Sequence, residues 1–526
     1  MSWTSAFLKQ LDEANIFVKP IDLSSHIALW QIDDTHWQHI AQLAKDNQLR
    51  WAAGFAMQVD AQFDVYACFA REGEYILLRT TINVSKPQLP SQASVYAAAN
   101  RSERHTHDLF GIEFLQHPDP RCWTRHQAWE RHEYPLRDDF PLVGHPAALT
   151  PPDTHYPFVE AHGVGVYEIP VGPVHAGIIE PGHFRFQAVG ELILNLEERL
   201  GYVHRGVEKI AQGRTPKRLA KLAGRVSGDT TVSHTWAACM AMEQAAGIEI
   251  PRRAALIRAI FAERERIANH LGDLGAICND VAFTFAFIQL MRLKELWCRT
   301  NYTLFGHRFL MDKLVPGGVN VDINEAAGKF ILVDIQELRR ELAHIIPIID
   351  LNASLEDRIY TAGYLSPKTA ELFGTLGVVG RASGQDRDVR RDAPYAPYDR
   401  VKVNVPLETQ GDIASRFWVR YKDINASLKL IEQFIAQLDT LPEGELKTPW
   451  CAPVAGSIGL GIVESWRGEI ITFVAFDVDN RISRFYPRDA SQLNWEALEK
   501  AVLNNIVPDF PVCNKSFNCS YAGSDL

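Results

Sequence analysis

The sequence predicts an α+β N-terminal domain followed by a mainly α-helical bundle domain with a small β-hairpin region. Three observations predict this fold: paired β-rich runs before residue 81, a series of long helical patterns between residues 185 and 438, and a return to strand patterns at 455–485. The composition agrees, because 46% hydrophobic and 22% charged residues are typical of a globular chain with a large core. A chain of 526 residues is long enough for about two to four domains.

The N-terminal domain is predicted over residues 1–150. Residues 63–70 and 74–80 are rich in β-forming side chains. Between them, Arg71-Glu72-Gly73 is a turn signal, so the two runs are predicted to form a hairpin.

Two helices are expected later in this domain. Residues 92–99 are predicted to be helical, and a charge-dense run before Leu109-Phe110-Gly111-Ile112 predicts a helix that ends at Gly111. His105 and His107 in that run could bind a metal ion, but no second cluster of ligands lies nearby. Solvated histidines are several times more common, so we expect both side chains on the surface.

A proline-rich segment separates the two domains. Eight prolines lie between residues 135 and 173, which excludes a regular helix and favours an extended chain. We therefore place the boundary near residue 150, so that the second domain covers 151–526.

The second domain is predicted to consist mainly of long helices. The run 185–200 shows a period of 3.6 in its apolar residues, Phe186, Val189, Leu192, Ile193, Leu196 and Leu200. Further helical patterns cover about 215–247, 252–278, 284–312, 325–350 and 411–438, with Gly247, Pro251, Gly275, Pro316 and Pro347 at or near the breaks. Such a set of helices indicates a bundle. Near the end, Ser465-Trp466-Arg467-Gly468 joins two strand patterns, 458–464 and 469–476, in a predicted hairpin.

Two charged segments stand out within the bundle. Glu263, Arg266 and His270 share one helix face, which taken alone is typical of a solvated, salt-bridged surface. Five charges within residues 386–391 would likewise normally indicate an exposed loop.

Two polar turns hold the candidate site residues. The first, at 172–186, contains His175 and Glu180, and the second, at 225–234, contains Ser227, Gly228, Asp229, Thr230 and His234. Polar groups on loops that rigid helices hold in place suit a functional site. The alternative, two helix-connecting turns with surface histidines, has equal weight from spacing alone.

The stretch 172–243 resembles the large subunit of energy-converting nickel–iron hydrogenases and its relative, the quinone-site subunit of respiratory complex I. The hydrogenase pattern in the second turn is Arg-Val-Cys-Gly-x-Cys, whose thiolates hold nickel, and Ser227 and Thr230 stand at those two positions. In complex I a quinone-contacting tyrosine sits in the same turn, and Gly228 takes its place. His175 matches the first histidine of the complex I loop Gly-Pro-x-His-Pro, whereas the second, at about Ile178 or Ile179, is missing.

Other segments extend the resemblance over nearly the whole chain. Residues 103–121 resemble the signature of the thirty-kilodalton subunit of complex I, with His105 in place of a glutamate, which implies a docking role. Residues 315–319 resemble a Pro-Gly-Gly turn of complex I, and the resemblance of 377–398 implies an internal ion-pair loop. In true hydrogenases the tail carries Asp-Pro-Cys-x-x-Cys; here Cys519 stands near that place, so at most one of four thiolates is expected.

The resemblance implies a subunit of a membrane-associated, hydrogenase-related or NADH dehydrogenase-like redox complex without a nickel–iron centre. In this hypothesis His175, Asp229 and His234 act in proton transfer or catalysis, while Glu180, Ser227, Gly228 and Thr230 line the cofactor or substrate pocket. A structural, redox-inactive coupling subunit fits the missing ligands equally well. A working nickel–iron hydrogenase does not, because hydroxyls do not replace bridging thiolates.

The resemblance also implies the partners: a small iron–sulfur subunit like the 20 kDa subunit of complex I, a ferredoxin-like iron–sulfur subunit and membrane subunits that translocate ions. Iron–sulfur clusters are expected in those partners, no cofactor is assigned to this chain, and a quinone headgroup would need a hydrogen-bond partner such as His175. The net charge of −10, without a basic stripe, argues against nucleic acid.

The location is predicted to be cytoplasmic, on the inner membrane through partner subunits. Eight scattered cysteines without a Cys-x-x-Cys pair are typical of a reducing compartment. No signal peptide or C-terminal processing is expected, and the longest apolar run, 281–291, is about half the ~20 residues that a membrane-spanning helix needs.

Overall fold

The computed structural model describes residues 3–21, 27–126, 129–130, 132–144, 156–175 and 179–526. It contains both helices and strands, as predicted. The predicted boundary at residue 150 and part of the proline-rich segment lie outside the described residues, so the division into 1–150 and 151–526 stays a prediction. None of the described helices is long and apolar enough to cross a membrane.

The described residues between 3 and 115 form a sheet with helices packed on one face, which we call the N-terminal unit. Its strands are β1 (Lys19–Ile21), β2 (Ile27–Gln31), β3 (Arg50–Val59), β4 (Gln62–Arg71), β5 (Glu74–Asn83), β6 (Gln88–Pro90) and β7 (Glu113–Leu115). Its helices are α1 (Trp3–Glu13), α2 (Trp37–Asp46) and α3 (Asn100–Phe110). The main sheet has the order β1-β2-β5-β4-β3, in which only β2 and β5 run parallel. Strands β6 and β7 form a separate parallel pair.

The hairpin predicted around Gly73 is confirmed. Arg71 pairs with Glu74, and both turn residues have positive φ, 49° at Glu72 and 81° at Gly73. A two-residue turn with two positive φ values matches the twist of the strands, and glycine adopts such a φ without steric cost. Helix α3 is also confirmed, with Gly111 in the left-handed conformation at its C-terminal end.

The helix predicted at 92–99 is wrong, because only Ala97–Ala99 forms one turn of 3₁₀ helix. Side-chain contacts hold the segment in turns instead. The Gln92 backbone N–H donates to the carboxylate of Glu103 at 2.7 Å, and the Gln92 amide oxygen accepts from the Trp51 indole at 3.1 Å. Turn-forming hydrogen bonds to polar side chains thus replace the helical ones.

The helix predicted at 185–200 is also wrong, because this run is a β-hairpin. Its strands belong to a three-stranded antiparallel sheet of β8 (Val166–Val171), β9 (His183–Val189) and β10 (Leu192–Arg199). Val189 pairs with Leu192, and Gly190 has a φ of 58° in the turn between them. The apolar spacing of this run suits either a helix or a strand, so the Gly190-Glu191 turn signal in its middle decides for the hairpin.

Helices form the centre of the remaining chain, as predicted, and they range from four to 29 residues in length. They are α4 (Val207–Ala211), α5 (Pro216–Ala223), α6 (Thr231–Ala245), α7 (Arg252–Asp280), α8 (Thr284–Phe305), α9 (Glu325–Asp350), α10 (Ala353–Ile359), α11 (Pro367–Leu372), α12 (Gly377–Ala382), α13 (Val389–Asp392), α14 (Ile413–Asp439), α15 (Ser491–Ala501), α16 (Phe510–Phe517) and α17 (Tyr521–Asp525). Helix α7 packs against α8 and α14 in the core. The predicted helix at 215–247 is interrupted between α5 and α6, whereas Gly275 and Pro347 lie inside helices and not at breaks.

Two hairpins complete the chain. Strands β11 (Leu314–Val315) and β12 (Gly318–Val319) form the predicted Pro-Gly turn. The predicted hairpin near the C-terminus is confirmed as β13 (Ile458–Ser465) and β14 (Gly468–Phe476), and β15 (Ile482–Arg488) extends it. This sheet packs on the open face of the N-terminal unit, where the ring of Phe473 lies 4.7 Å from Phe55 and 5.1 Å from Tyr66. It therefore joins the two ends of the chain.

The charged face of α7 is buried, so the solvated surface predicted for Glu263, Arg266 and His270 is wrong. Glu263 accepts hydrogen bonds from Arg390 at 3.0 Å, from Arg266 at 3.1 Å and from the hydroxyl of Tyr398 at 2.6 Å. Arg390 also forms an ion pair with Asp388, and Asp388 forms a further ion pair with Arg381. The internal ion-pair loop implied by the resemblance of 377–398 is thus confirmed, because these buried charges are paired and hydrogen-bonded as burial requires.

The prediction that His105 is a surface residue is wrong. Its Nε2 lies 2.8 Å from Glu208 Oε2 and its Nδ1 lies 2.7 Å from Thr124 Oγ1. Arg484 donates to the other Glu208 oxygen at 2.6 Å. Burial raises the pKa of Glu208, but the Arg484 charge and the hydrogen bonds of Glu208 with His105 and Arg484 outweigh it and lower the pKa to about 2. His105 therefore connects the N-terminal unit to α4. His107 is half-buried beside the Ile112 carbonyl.

Candidate functional site

The two polar turns meet at the C-terminal tail, residues 518–526. The hydroxyl oxygens of Ser227 and Ser520 lie 2.9 Å apart, although 293 residues separate them along the chain. Glu180 Oε2 accepts a hydrogen bond from the Ala522 N–H at 2.9 Å, and the His175 ring lies 6.3 Å from that of Tyr521. The tail therefore contacts both the first and the second turn.

Asp229 is the centre of the hydrogen bonds in this site. Arg467 Nη1 and Nη2 each donate to one of its carboxylate oxygens at 2.7 Å, and Ser227 and Thr230 donate at 2.8 and 3.0 Å. Burial raises the pKa of Asp229, but the Arg467 charge and these hydrogen bonds outweigh it, so the pKa is lowered overall. Asp229 is thus an anion at neutral pH, and its side chain is still 41% exposed. This arrangement suits a fixed charge better than the predicted proton carrier.

The turn between β13 and β14 supplies Arg467 and its support. Arg467 Nε donates to the Asn518 carbonyl at 2.6 Å, and its guanidinium lies 3.9 Å from the centre of the Trp466 ring. The Trp466 indole donates to Thr230 Oγ1 at 3.1 Å. The sequence predicted this turn as a hairpin, and the resemblance matched it to a family hairpin with Pro-Arg-Gly at its turn, but neither assigned Arg467 to the site. That correspondence was the available signal for Arg467.

His234 lies behind the site, fully buried in α6. Its Nε2 is 2.8 Å from Asp489 Oδ2, and the Ser491 N–H donates to the other oxygen at 2.8 Å. Burial raises the pKa of Asp489, but the hydrogen bond and charge of His234 and the charge of Arg467 lower it further, to well below its usual range. A Cβ on Gly523 would lie 2.9 Å from Asp489 Oδ2, so the pair directly supports the tail.

His175 and Glu180 lie at the outer edge of the site. The His175 ring packs 5.4 Å from that of Phe184, and burial lowers the pKa of His175, so the imidazole is neutral at pH 7. Its Nε2 is buried and has no hydrogen-bond partner among the described residues. Glu180 is exposed apart from its bond to the tail, and Gly228 is exposed, with open space where a Cβ would lie. The expected second histidine position at Ile178 lies outside the described residues, and Ile179 is half-buried.

Two carboxyl groups near the site do have a pKa close to 7. Burial, helped by the Asp229 charge, raises the pKa of Glu265 to about 7. A hydrogen bond from Ser233 Oγ at 2.7 Å opposes this shift only in part. Burial likewise raises the pKa of Asp525 to about 7, partly offset by a hydrogen bond from the Val203 N–H at 3.1 Å. These groups are better placed to exchange a proton at neutral pH than Asp229. Neither group was predicted from the sequence, because burial is the main cause of both pKa shifts.

The donor atoms do not fit a nickel–iron centre. Ser520, and not Cys519, meets Ser227, so the spacing of the family's Cys-x-x-Cys tail places its second ligand at Gly523. The four ligand positions are then Ser227, Thr230, Ser520 and Gly523, without a sulfur atom. This corrects the expectation that Cys519 supplies one thiolate: Cys519 is buried in the apolar core, and burial raises its pKa well above the usual value. Hydroxyls do not form the soft bridging set that nickel and iron require. Within the described part of the chain, no three His, Cys, Asp or Glu residues are grouped to hold a metal ion.

Comparison with known proteins finds relatives over both halves of the chain. Residues 280–457 match the family described as respiratory-chain NADH dehydrogenase, 49 Kd subunit, residues 30–146 match the 30 Kd subunit, and residues 205–272 match nickel-dependent hydrogenase. A solved structure described as the membrane-bound sulfane sulfur reductase, an archaeal respiratory membrane complex, contains a chain with a TM-score of 0.64 and 23% identity. That match covers 69% of this chain and 100% of the other, and it shows the fold: a mixed helical and stranded, complex I 49 kDa-like fold.

Three relatives place the chain more closely. Formate hydrogenlyase subunit 5 of Escherichia coli is 32% identical over 454 residues, which covers 86% of this chain and 79% of the relative. Hydrogenase-4 component G of Escherichia coli is 30% identical over 89% of this chain and 81% of the relative. The C/D subunit of NADH-quinone oxidoreductase from Phocaeicola vulgatus is 33% identical over 76% of this chain and 81% of the relative. The chain therefore belongs to the family that includes the large subunits of formate hydrogenlyase-type hydrogenases and the fused C/D subunits of NADH-quinone oxidoreductase.

Proposed function

We propose that this chain is a subunit of a membrane-associated, hydrogenase-related or complex I-like redox complex that works without a nickel–iron centre. In this proposal it couples electron transfer to ion translocation by partner subunits. The relatives support the assembly, since one is a formate hydrogenlyase subunit and another an NADH-quinone oxidoreductase subunit. The single observation that carries the absence of nickel is the contact of Ser227 with Ser520 at the ligand positions.

The proposed site is a polar pocket whose redox partner binds from outside. Asp229 and Arg467 provide a fixed ion pair, and the open space at Gly228 leaves room beside it. Glu265 and Asp525, with pKa values of about 7, can take up or release the protons that accompany electron transfer. If the acceptor is a quinone, His175 Nε2, which has no hydrogen-bond partner in the part of the chain that the structure describes, is a group that can bind its carbonyl when protonated at that nitrogen.

The partners and location follow from the same proposal. They are a small iron–sulfur subunit, a ferredoxin-like iron–sulfur subunit and membrane subunits, which would hold this chain on the cytoplasmic face of the inner membrane. Those partners would hold the iron–sulfur clusters, and any NADH-linked electron transfer would take place in them.

A second candidate function is a structural, redox-inactive coupling subunit. The observation that favours it is that the polar side chains of the site already form hydrogen bonds with one another, namely those of Ser227, Asp229, Thr230 and Arg467. A site with internally satisfied polar groups needs no ligand to be stable. This candidate predicts that the polar groups of the site affect assembly but not turnover.

Elemental analysis of the purified complex tests the main proposal. We expect iron from the partner subunits, no stoichiometric nickel and no hydrogen-dependent dye reduction. About one nickel per chain together with hydrogen uptake would contradict the proposal.

Turnover of the intact complex separates the two candidate functions. We expect His175→Gln and Asp229→Asn to reduce turnover by about tenfold or more, corresponding to ~1.4 kcal/mol of lost transition-state stabilisation, while the matched changes His107→Gln and Asp479→Asn leave it unchanged. Full turnover in both site variants would favour the structural subunit. His105 is not a suitable control, because it pairs with Glu208.

A further inference from the structure

A cleft separates the N-terminal unit from the ion-pair loop, residues 380–392, and contains none of the residues of the two-turn site. It has two adjoining halves of about 470 and 430 Å³, and Gln48, Arg50 and Arg387 line both. Each half has the volume of a typical small-molecule site. The resemblance to complex I and hydrogenases assigned no role to these residues.

Two arginines in this cleft have N–H groups without acceptors. Arg50 Nη2 pairs with Glu469 Oε2 at 2.6 Å, but Arg50 Nη1 is buried and has no hydrogen-bond partner among the residues that the structure describes, and only 10% of the side chain is exposed. Arg387 forms no side-chain hydrogen bond or ion pair with any described residue, and its Nη1 is also buried. A buried guanidinium without a counter-ion is costly, so Arg387, in the same cleft as the unpaired Nη1 of Arg50, indicates a missing anion.

The charges around the cleft do not supply that anion. Glu469 is already bound by Arg50, Arg488 and the Tyr75 hydroxyl. Four other acidic residues of the lining have an arginine as partner: Asp386 and Asp392 pair with Arg391, Glu72 pairs with Arg71, and Asp388 pairs with Arg381 and Arg390. For Glu464, burial raises the pKa to about 8, so its carboxyl group is largely protonated at neutral pH. Glu371 attracts Arg387 only at longer range. Burial is the main cause that lowers the pKa of Arg387 to about 10, and repulsion from Arg50 adds to it, while nearby acids oppose part of the shift. Arg387 is thus a cation without a close counter-ion, whereas Arg50 has Glu469.

The second half of the cleft offers apolar surface beside the two cations. Leu49, Trp51, Tyr96 and Leu372 line it, together with Lys45 and Lys368. A ligand that fits both halves has a compact anionic head and an apolar body, because the head needs the guanidinium groups and the body gains from removing apolar surface from water.

We propose that this cleft binds a small organic anion. Its phosphate or carboxylate head accepts hydrogen bonds from Arg50 Nη1 and Arg387 Nη1, and its body lies along Leu49, Tyr96 and Leu372. The guanidinium groups present planar donors that suit either oxyanion. Because the cleft is formed by the N-terminal unit on one side and the ion-pair loop on the other, the bound anion stabilises the contact between them.

Binding to the purified complex tests this proposal with three probes at constant ionic strength: inorganic phosphate, phenyl phosphate and benzoate. We expect saturable binding by calorimetry, tighter for phenyl phosphate than for inorganic phosphate because of the apolar wall. Comparison of phenyl phosphate with benzoate distinguishes a phosphate from a carboxylate head. Arg387→Gln should weaken binding by at least about tenfold, a typical effect of losing one charge-assisted contact. The control change Arg400→Gln, at an exposed arginine that lines neither half of the cleft, should not alter it.

Thermal unfolding gives a second readout. Without a probe, Arg387→Gln should melt at or above the temperature of the unchanged complex, because it removes an unpaired buried charge, and phenyl phosphate should raise the melting temperature only when Arg387 is present. If the complex with Arg387→Gln does not assemble, the binding measurements use Arg387→Lys. A density map of the unchanged complex with phenyl phosphate then shows whether the probe lies between Arg50 and Arg387. The proposal is overturned if none of the probes binds saturably, if Arg400→Gln weakens binding as much as Arg387→Gln does, or if the map shows a partner subunit's acidic side chain between Arg50 and Arg387.

Discussion

The residue with the greatest influence on the site is Arg467, because it binds the Asp229 carboxylate with both terminal nitrogens and the tail through Nε. Ser520 can donate to Ser227, which donates to Asp229, so one chain of hydrogen bonds runs from the tail to this ion pair. A change at Arg467 therefore affects both turns at once. The site is held together by side chains that are far apart in sequence.

Replacing Arg467 by Gln tests this role. We expect the free energy of unfolding to fall by only about 1 kcal/mol, since Asp229 is partly exposed and water replaces part of the lost interaction. Turnover of the intact complex should fall by about tenfold or more, because the position of the Asp229 charge is lost. Arg400→Gln, at an exposed arginine, is the control, and an unchanged turnover in Arg467→Gln would exclude a role of this ion pair in the reaction.

Asp525 should make the tail sensitive to pH. Burial raises its folded pKa from 3.8 to about 7, so between those values the folded state holds a proton that the unfolded state has lost. The stabilisation is therefore greatest at low pH and falls as pH rises through 7. Amides of residues 518–526 should exchange hydrogen more slowly at pH 6 than at pH 8, after correction for intrinsic rates. Asp525→Asn should remove this difference and Asp479→Asn should retain it; a difference that persists in Asp525→Asn would assign the effect to another group.

Among the elements, strand β13 and helix α6 lie so close together that their contact leaves no space for a side chain. A Cβ at Gly461 would lie 1.9 Å from the Ala237 carbonyl oxygen, and one at Gly459 would lie 1.9 Å from that of Ala241. These glycines let the strand lie directly on the helix that carries His234. The same strand ends in the turn that supplies Arg467, so this close packing fixes the distance between the two sides of the site.

Gly461→Ala should therefore force the strand away from the helix. We expect a loss of about 1–3 kcal/mol in the free energy of unfolding, the usual cost of overpacking, measured by chemical unfolding of the complex. Gly444→Ala is the matched control, since the nearest atom to its Cβ is 3.6 Å away. Equal stability of Gly461→Ala and the control would mean that β13 and α6 can separate without cost.

The ion-pair loop allows a comparison between neighbouring arginines. Arg390 is fully buried against Glu263 and Asp388, so Arg390→Gln leaves two buried carboxylates short of a cation and should cost about 3–5 kcal/mol. Arg391 pairs with the exposed Asp386, so Arg391→Gln should cost less than about 1 kcal/mol. Melting temperatures of the two variant complexes measure the difference, and similar losses would contradict the burial seen for Arg390.

At the scale of the whole molecule, apolar side chains are exposed on neighbouring helices. Phe285 and Ile288 of α8 and Phe330 and Val333 of α9 are all about half exposed or more. Exposed apolar surface of this kind is typical of protein interfaces. It agrees with the proposal that the chain works only in a complex.

The isolated chain should therefore self-associate or unfold, whereas the chain produced with its partner subunits should not. Val333→Glu should reduce self-association, measured by light scattering, and should also reduce recovery of partner subunits. Val478→Glu, at an exposed valine in the turn after β14, is the control. A monodisperse monomer with cooperative unfolding would contradict an obligate interface.

Local signals determined much of this protein from sequence alone. The Glu72-Gly73 turn, the helix end at Gly111 and the hairpin around Arg467 were predictable because turn residues and apolar periods act over a few neighbours. The same holds for the replacement of two thiolates by Ser227 and Thr230, which needs only the residue types.

Tertiary structure alone decided the rest. The run 185–200 became a hairpin because the sheet with β8 and the Gly190 turn prevailed over an ambiguous apolar period. Ser520 rather than Cys519 met Ser227, Arg467 bound Asp229, and the cleft between Arg50 and Arg387 formed through contacts between residues hundreds of positions apart. Burial then set the pKa values of Glu265 and Asp525, because burial depends on the packed neighbours and not on the residues next to them in sequence.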